Sequence, residues 1–294
     1  MSTNINIRQD IEPEVTQLTK TLINSIPEIK NVLTTGREVS GTKNPSGDTQ
    51  WVADERIDEV ILACARSVDG IGQYVSEERA ESIALGSGLS VATDPLDGSS
   101  NIKSNATLGT IIGVYEDELP ACGRDLVASI ILVLGPVTTL GVAANDELII
   151  YTIKNKTIVG AESVEFPESG DVYAFSGNPS EWTPALQSYD EKLSHQYDNC
   201  YTGSMIADVW MLLERGGLVG YPKRTTYPNG VLRLQYESNP VAYAIECAGG
   251  AASTGTQSVL DLKPAGLHGQ TPTFFGTQSL IEGLETRLEV DAKS

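Results

Sequence analysis

A chain of 294 residues, 40% hydrophobic and with 28 glycines, is long enough to bury a substantial core as one large or two closely packed α/β units. Its formal charge of −19, from 39 acids against 20 lysines and arginines, excludes a nucleic acid or an anionic membrane as partner, because their phosphates require a basic face. Four cysteines, at 64, 122, 200 and 247, and two distant histidines, His195 and His268, offer neither zinc-site spacing nor a disulfide framework nor support for a serine-hydrolase triad; with no N-terminal signal pattern, the cytoplasm is the expected location.

Helical spacing covers residues 14–29 and 54–67. In the second segment Asp54, Glu55, Asp58 and Glu59 surround apolar Val52, Ile57, Val60 and Ile61, so Asp54 reads either as a solvated helix face or as a chemical group. Strands are predicted at 73–75, 89–93, 109–115, 130–134, 138–143 and 148–153. Leu126 to Ala144 runs nineteen residues without a charge, which is enough to span a bilayer. Gly135-Pro136 interrupts it, however, and its β-branched halves read as two buried strands joined by a turn. After a polar break at 168–171 come a strand at 172–175, helices at 181–193 and 204–214, a strand at 218–221 and a helix at 240–248, where Pro240 suits a first turn. Periodicity alone thus predicts a mixed α/β protein.

The densest chemistry lies in Asp94-Pro95-Leu96-Asp97-Gly98-Ser99-Ser100-Asn101. Two acids at the carboxyl end of the 89–93 strand are followed by Gly98, which lets backbone approach a ligand closely, and by Ser99, Ser100 and Asn101, which offer donors to phosphate oxygens. Further acids stand in Ser76-Glu77-Glu78 and Tyr236-Glu237-Ser238-Asn239-Pro240. Magnesium prefers octahedral oxygen ligation by a few carboxylates, waters and substrate phosphate, and two such ions about 3.5–4 Å apart can activate water and neutralise a phosphoryl group.

These segments, with Tyr201-Thr202-Gly203-Ser204-Met205-Ile206-Ala207-Asp208-Val209, Leu232-Arg233-Leu234-Gln235-Tyr236 and Glu246-Cys247-Ala248-Gly249-Gly250, match in order the motifs of the fructose-1,6-bisphosphatase family. The chain resembles that family from about Gly47 to Pro272, within the lithium-sensitive, magnesium-dependent sugar phosphatase superfamily. The resemblance implies a layered α/β/α/β/α sandwich, an N-terminal metal and phosphate half over 1–170, a C-terminal sugar-binding half over 171–294, and a homodimer or homotetramer. It implies hydrolysis of the 1-phosphate of a sugar bisphosphate, fructose-1,6- or sedoheptulose-1,7-bisphosphate, by metal-activated water, with Mg2+ or substituting Mn2+. Metal ligation falls to Glu77, Glu78, Asp94, Asp97, Glu237 and the Leu96 carbonyl, and polarisation of the attacking water to Asp48, Asp54 and Glu78.

Substrate binding is expected from Gly98, Ser99, Ser100, Asn101, Tyr201 and Tyr221. The family's far-phosphate arginine and lysine are replaced by Cys200 and Val231, which leaves Lys223, Arg224 and Arg233 as candidate cations. Lys103 stands where the family commonly has an acid, and pairing with a local carboxylate is the expectation for it. No match to the family's AMP-binding segment is visible in residues 1–30, so no AMP inhibition is expected. Two rival readings are an inositol-monophosphatase-like or broad sugar phosphatase, opposed by Gly98-Ser99 where those enzymes show Gly-Thr, and a non-catalytic metal-binding protein, opposed by retention of every carboxylate.

Overall fold

The computed structural model describes residues 6–292. Helix α1 (Pro13–Thr35) is followed by the hairpin β1 (Val39–Lys43) and β2 (Thr49–Trp51), then by α2 (Val52–Arg66). Helix α1 runs beyond the predicted end because Val32 extends its buried stripe past Ile29. An eight-stranded sheet follows: β3 (Ile71–Ser76), β4 (Ile83–Ala84), β5 (Leu89–Asp97), β6 (Leu108–Tyr115), β7 (Leu126–Leu134), β8 (Thr138–Ala144), β9 (Glu147–Lys154) and β10 (Thr157–Val164). Its order is β10-β9-β8-β7-β6-β5-β3-β4, antiparallel except for the parallel pair β3 and β5. The charge-free run 126–144 is the β7–β8 hairpin, and among the described residues no helix is long and apolar enough to cross a membrane.

The chain continues through β11 (Val172–Phe175), α3 (Pro184–Ser194), β12 (Asp198–Asn199), α4 (Met205–Arg215), β13 (Leu218–Tyr221), β14 (Leu232–Arg233), α5 (Asn239–Cys247), β15 (Ala251–Ser253), β16 (Gln270–Thr271), β17 (Thr273–Gly276) and α6 (Gln278–Ala292). Strands β12-β11-β13-β17-β15 form a second sheet. Helix α3 starts three residues later than its spacing predicts: Thr183 accepts a hydrogen bond from the Leu186 N–H and Pro184 opens the first turn.

Alternation along the strands sorts the core into three layers. Ile112, Val114 and Ile130 face α1 and α2, packing against Leu18, Leu22, Ile57 and Ile61. Ile111 and Ile131 face the opposite way, onto Ile206 and Val209 of α4 and Val241 and Ile245 of α5, which also meet Val172, Ala174 and Val219 of the second sheet. The outer face of that sheet, Tyr173, Phe175, Leu218 and Phe274, is covered by Leu186 and Tyr189 of α3 and Ile281 and Leu284 of α6. Helix, sheet, helix, sheet, helix is the α/β/α/β/α sandwich that the resemblance implies.

Candidate active site

Strand β5 carries the first two acids, and it does not end at Thr93 as predicted but runs through them to Asp97. In a regular strand, residues three apart lie on opposite faces. Here Asp94 pairs with Ile111 and Asp97 with Gly109, so three steps on β5 oppose two on β6. The extra residue is a β-bulge, and it returns Asp97 to the face of Asp94. Pro95 sits inside the bulge, where it needs no ladder donor, and its carbonyl accepts a hydrogen bond from Thr110 Oγ1 at 2.9 Å. The third acid comes from far along the chain: Glu237 lies on a π-helical turn, Leu234–Ser238, that leads into α5. Such turns displace a side chain from helical register and recur at functional sites.

Carboxylate oxygens of Asp94, Asp97 and Glu237 lie within 4.8 Å of one another, and all three residues are buried. Each is fixed on one side by a donor. Leu96 N–H donates to Asp94 Oδ1 at 2.9 Å, Ile206 N–H and Ser204 Oγ donate to Asp97 Oδ2 at 2.9 and 3.3 Å, and Arg233 N–H donates to Glu237 Oε2 at 2.5 Å. Glu77 and Glu78, from the end of β3, line the same cavity, of about 500 Å³, together with Asp48, Asp54, Leu96, Gly98, Ser99, Ser100, Tyr201, Tyr221, Arg224 and Arg233.

So much negative charge in so little water distorts the acids' protonation. Burial pushes Asp97 up to about 6, and Glu78 and Glu237 up to about 8; Glu77 adds repulsion at each, while Arg233 opposes the rise at Glu237. Asp94 is raised well above the usual range by burial and then by Glu77, Asp97 and Glu237. Arg233 is the one cation inside this group. Its guanidinium lies 3.2 Å from Glu77, 3.8 Å from Glu237 and in contact with Asp48, so Arg233 lines the cavity but is committed to the acids. One arginine among this many buried carboxylates leaves net negative charge with no partner, which is the donor set that hard divalent cations take.

Asp54 is not on a solvated face. It is 2% exposed, and Oδ2 accepts the Trp51 N–H at 2.6 Å, capping α2. Oδ1 is buried and among the described residues makes no hydrogen bond of standard geometry, although the Ser99 side chain stands close enough to favour its charge. Burial raises this carboxyl to about 7, against the Trp51 N–H and with help from Glu77. Asp58 is equally buried, holding the Tyr74 hydroxyl and Arg79, and only Glu55 and Glu59 of that helix face are exposed.

Gly98 caps the short turn Ser99–Asn101 with φ of +80°. Asn101 does not line the cavity; its Nδ2 donates to the Gly203 carbonyl at 2.7 Å, tying the turn to the loop before α4. Lys223 is not in the site either. It lines a separate cavity of about 530 Å³ beside Thr254, Pro272 and Phe274. Among the described residues Lys103 pairs with no carboxylate, and its ammonium lies 5.0 Å from the centre of the Trp51 ring. Tyr221 donates its hydroxyl to buried Asp208 at 2.9 Å, whereas Tyr201 is 44% exposed.

Several residues were not singled out from sequence. Asn44 donates to Glu77 at 3.1 Å and accepts the N–H groups of Ser46 and Asp48, joining the β1–β2 turn to the carboxylates. Gln50 donates to Glu78, and Ser204 to Asp97. An asparagine or glutamine carries no pattern that marks such a role in advance.

A Cβ on Gly98 would lie 2.8 Å from Ser204 Oγ in a backbone region that side chains disfavour. Gly98→Ala is therefore expected to cost about 1–3 kcal/mol of stability and, by shifting Ser204 and with it Asp97, about 10²-fold in kcat/KM. Thermal unfolding and steady-state rates check it; an Ala variant with parental rates removes the cradle role.

A carboxylate cage at the carboxyl end of an interior strand, a Gly-Ser turn beside it and a layered sandwich around both fit the class of phosphoric monoester hydrolases that use divalent metal. Residues 10–157 match the N-terminal domain of fructose-1,6-bisphosphatase and residues 166–289 its C-terminal domain. The chain is 42% identical over 273 residues to a class 1 fructose-1,6-bisphosphatase of Halobacterium salinarum, spanning 91% of this chain and 94% of that one. It is 32% identical over 310 residues to fructose-1,6-bisphosphatase 1 of Rattus norvegicus, spanning 96% and 85%. The fold superposes on the crystal structure of Leishmania major fructose-1,6-bisphosphatase in holo form with a TM-score of 0.89 and 25% identity, over 95% of this chain and 96% of that one. The chain belongs to the fructose-1,6-bisphosphatase family.

Proposed function

We propose that this protein hydrolyses the 1-phosphate of fructose-1,6-bisphosphate with Mg2+, for which Mn2+ can substitute, as the metal held by Glu77, Glu78, Asp94, the Leu96 carbonyl, Asp97 and Glu237. The observation that carries this reading is the convergence of Asp94, Asp97 and Glu237 within 4.8 Å, in a cavity that also holds Gly98, Ser99 and Ser100. Bound there, divalent cations neutralise phosphoryl oxygens and lower the pKa of water.

The chain's own residues supply the rest. Gly98 and the serines after it seat the phosphoryl group, Asn101 holds their turn in place, and Tyr201 and Tyr221 flank the sugar. Asp54, which is not among the metal ligands and is raised to about 7 by burial, sits where a group near neutrality can take a proton from attacking water and release it again, and Glu78 joins it in polarising that water. Asp48 orients the loop that faces them through Arg233. The N-terminal half, 1–170, brings all of these acids except Glu237, and the C-terminal half, 171–294, brings the sugar contacts. A homodimer or homotetramer acting in the cytoplasm completes the reading, and light scattering on the purified chain checks the assembly.

Steady-state rates with fructose-1,6-bisphosphate, sedoheptulose-1,7-bisphosphate and inositol 1-phosphate are the direct test. The first is expected to be hydrolysed with the highest kcat/KM, in Mg2+ and without AMP inhibition. A preference for inositol 1-phosphate, or no release from any of the three, overturns the assignment.

A further inference from the structure

A bisphosphate brings a second dianion into a cavity whose walls are mostly acidic, and that group must come to rest beside positive charge or be repelled. Two cations line the cavity, Arg233 and Arg224. Arg233 is taken up by Asp48, Glu77 and Glu237. Arg224 makes no ion pair among the described residues. Its guanidinium stands 4.8 Å over the Tyr227 ring, and its backbone is pinned to the same residue by reciprocal N–H to carbonyl bonds of 3.0 Å.

Two buried polar atoms in this part of the wall have no partner: Arg224 Nε and the hydroxyl of Ser176, a residue 4% exposed. Between them lies Gly177, with φ of +93°, where a Cβ would come within 2.5 Å of the Arg224 side chain. The glycine leaves the room in which the arginine is seated. A buried guanidinium nitrogen and a buried hydroxyl without acceptor or donor are costly unless a ligand completes them, and a phosphoryl group offers oxygens to both.

Resting on the bisphosphatase reading of the same site, we infer that Arg224, with Ser176, holds the far phosphate of the substrate and so decides that the enzyme acts on bisphosphates. Lys223, its neighbour in sequence, takes no part, because it opens into the other cavity.

The test uses fructose 6-phosphate, which carries only the far phosphate, in calorimetric titrations of the full chain, alongside rates for fructose-1,6-bisphosphate and fructose 1-phosphate. Arg224→Met is expected to weaken fructose 6-phosphate binding about 10- to 100-fold, the range for a lost charge-assisted contact. The ratio of kcat/KM for the bisphosphate to that for fructose 1-phosphate should fall by the same factor, through KM rather than kcat. Arg224→Lys should fall between, and Ser176→Ala should lose several-fold. Fructose 6-phosphate binding that Arg224→Met leaves within twofold, no binding to the parent chain, or equal losses on both substrates each overturns the inference. A parent chain that binds fructose 6-phosphate through Arg224 but hydrolyses no bisphosphate would instead overturn the activity and leave the site standing.

Discussion

Asp97→Asn is expected to abolish turnover, with kcat down at least about 10³-fold at saturating Mg2+, while the fold stays intact. The carboxylate accepts the Ile206 N–H and Ser204 Oγ through one oxygen and shares the cage with Asp94 and Glu237. An amide of the same shape keeps the first role through its carbonyl and loses the second. Because burial and the charge of Glu77 raise Asp97 in the metal-free protein, removing its charge relieves repulsion. The metal-free variant should therefore melt higher than the metal-free parent, by a few degrees for each 1–2 kcal/mol relieved. Rates and melting curves with and without EDTA check both halves. A variant that stays active, above all in EDTA, would show that Asp97 holds no metal.

Without metal, the protein should lose stability as pH rises from about 5.5 to about 8.5, and divalent cations should reverse that trend. The carboxyls of Asp97, Asp54, Glu78 and Glu237 rise from ordinary values of 3.8 or 4.5 to about 6, 7, 8 and 8 on folding. Between those limits the folded state binds more protons than the unfolded one. Stability is thus full on the acid side and is lost as pH passes through the folded values. Metal needs the same groups ionised, so its binding releases protons and its stabilising effect grows with pH. The checks are melting temperature against pH in EDTA and in Mg2+, and calorimetry in two buffers of different ionisation enthalpy. A metal-free melting temperature that is flat or rising over this window, with no proton release, contradicts the cage.

The acids themselves were legible because carboxylates beside Gly-Ser runs leave a dense signal in a chain, and the long strands and amphipathic helices were legible because their burial is periodic. What escaped depends on backbone geometry or on long-range packing. The spacing of Asp94 and Asp97 reads as a strand end followed by a turn, since nothing in it announces that the ladder continues through a bulge. The π turn under Glu237 is likewise invisible to a 3.6-residue period. Strands β15 and β17, three and four residues long, are defined by their neighbours in the second sheet rather than by their own sequence. Helix α6 escaped too, its apolar stripe being weak. Lys223 and Arg224 were indistinguishable as candidate cations until the chain after β13 was seen to send adjacent side chains into different cavities.

The offset between β5 and β6 makes the phase of this strand a discrete variable. Deleting Pro95 would let the two strands pair without interruption, and Asp94 and Asp97, then two residues apart, would still share a face. What the extra residue adds is the local bend, which brings the Leu96 N–H onto Asp94 Oδ1 and the Pro95 carbonyl within reach of Thr110 Oγ1.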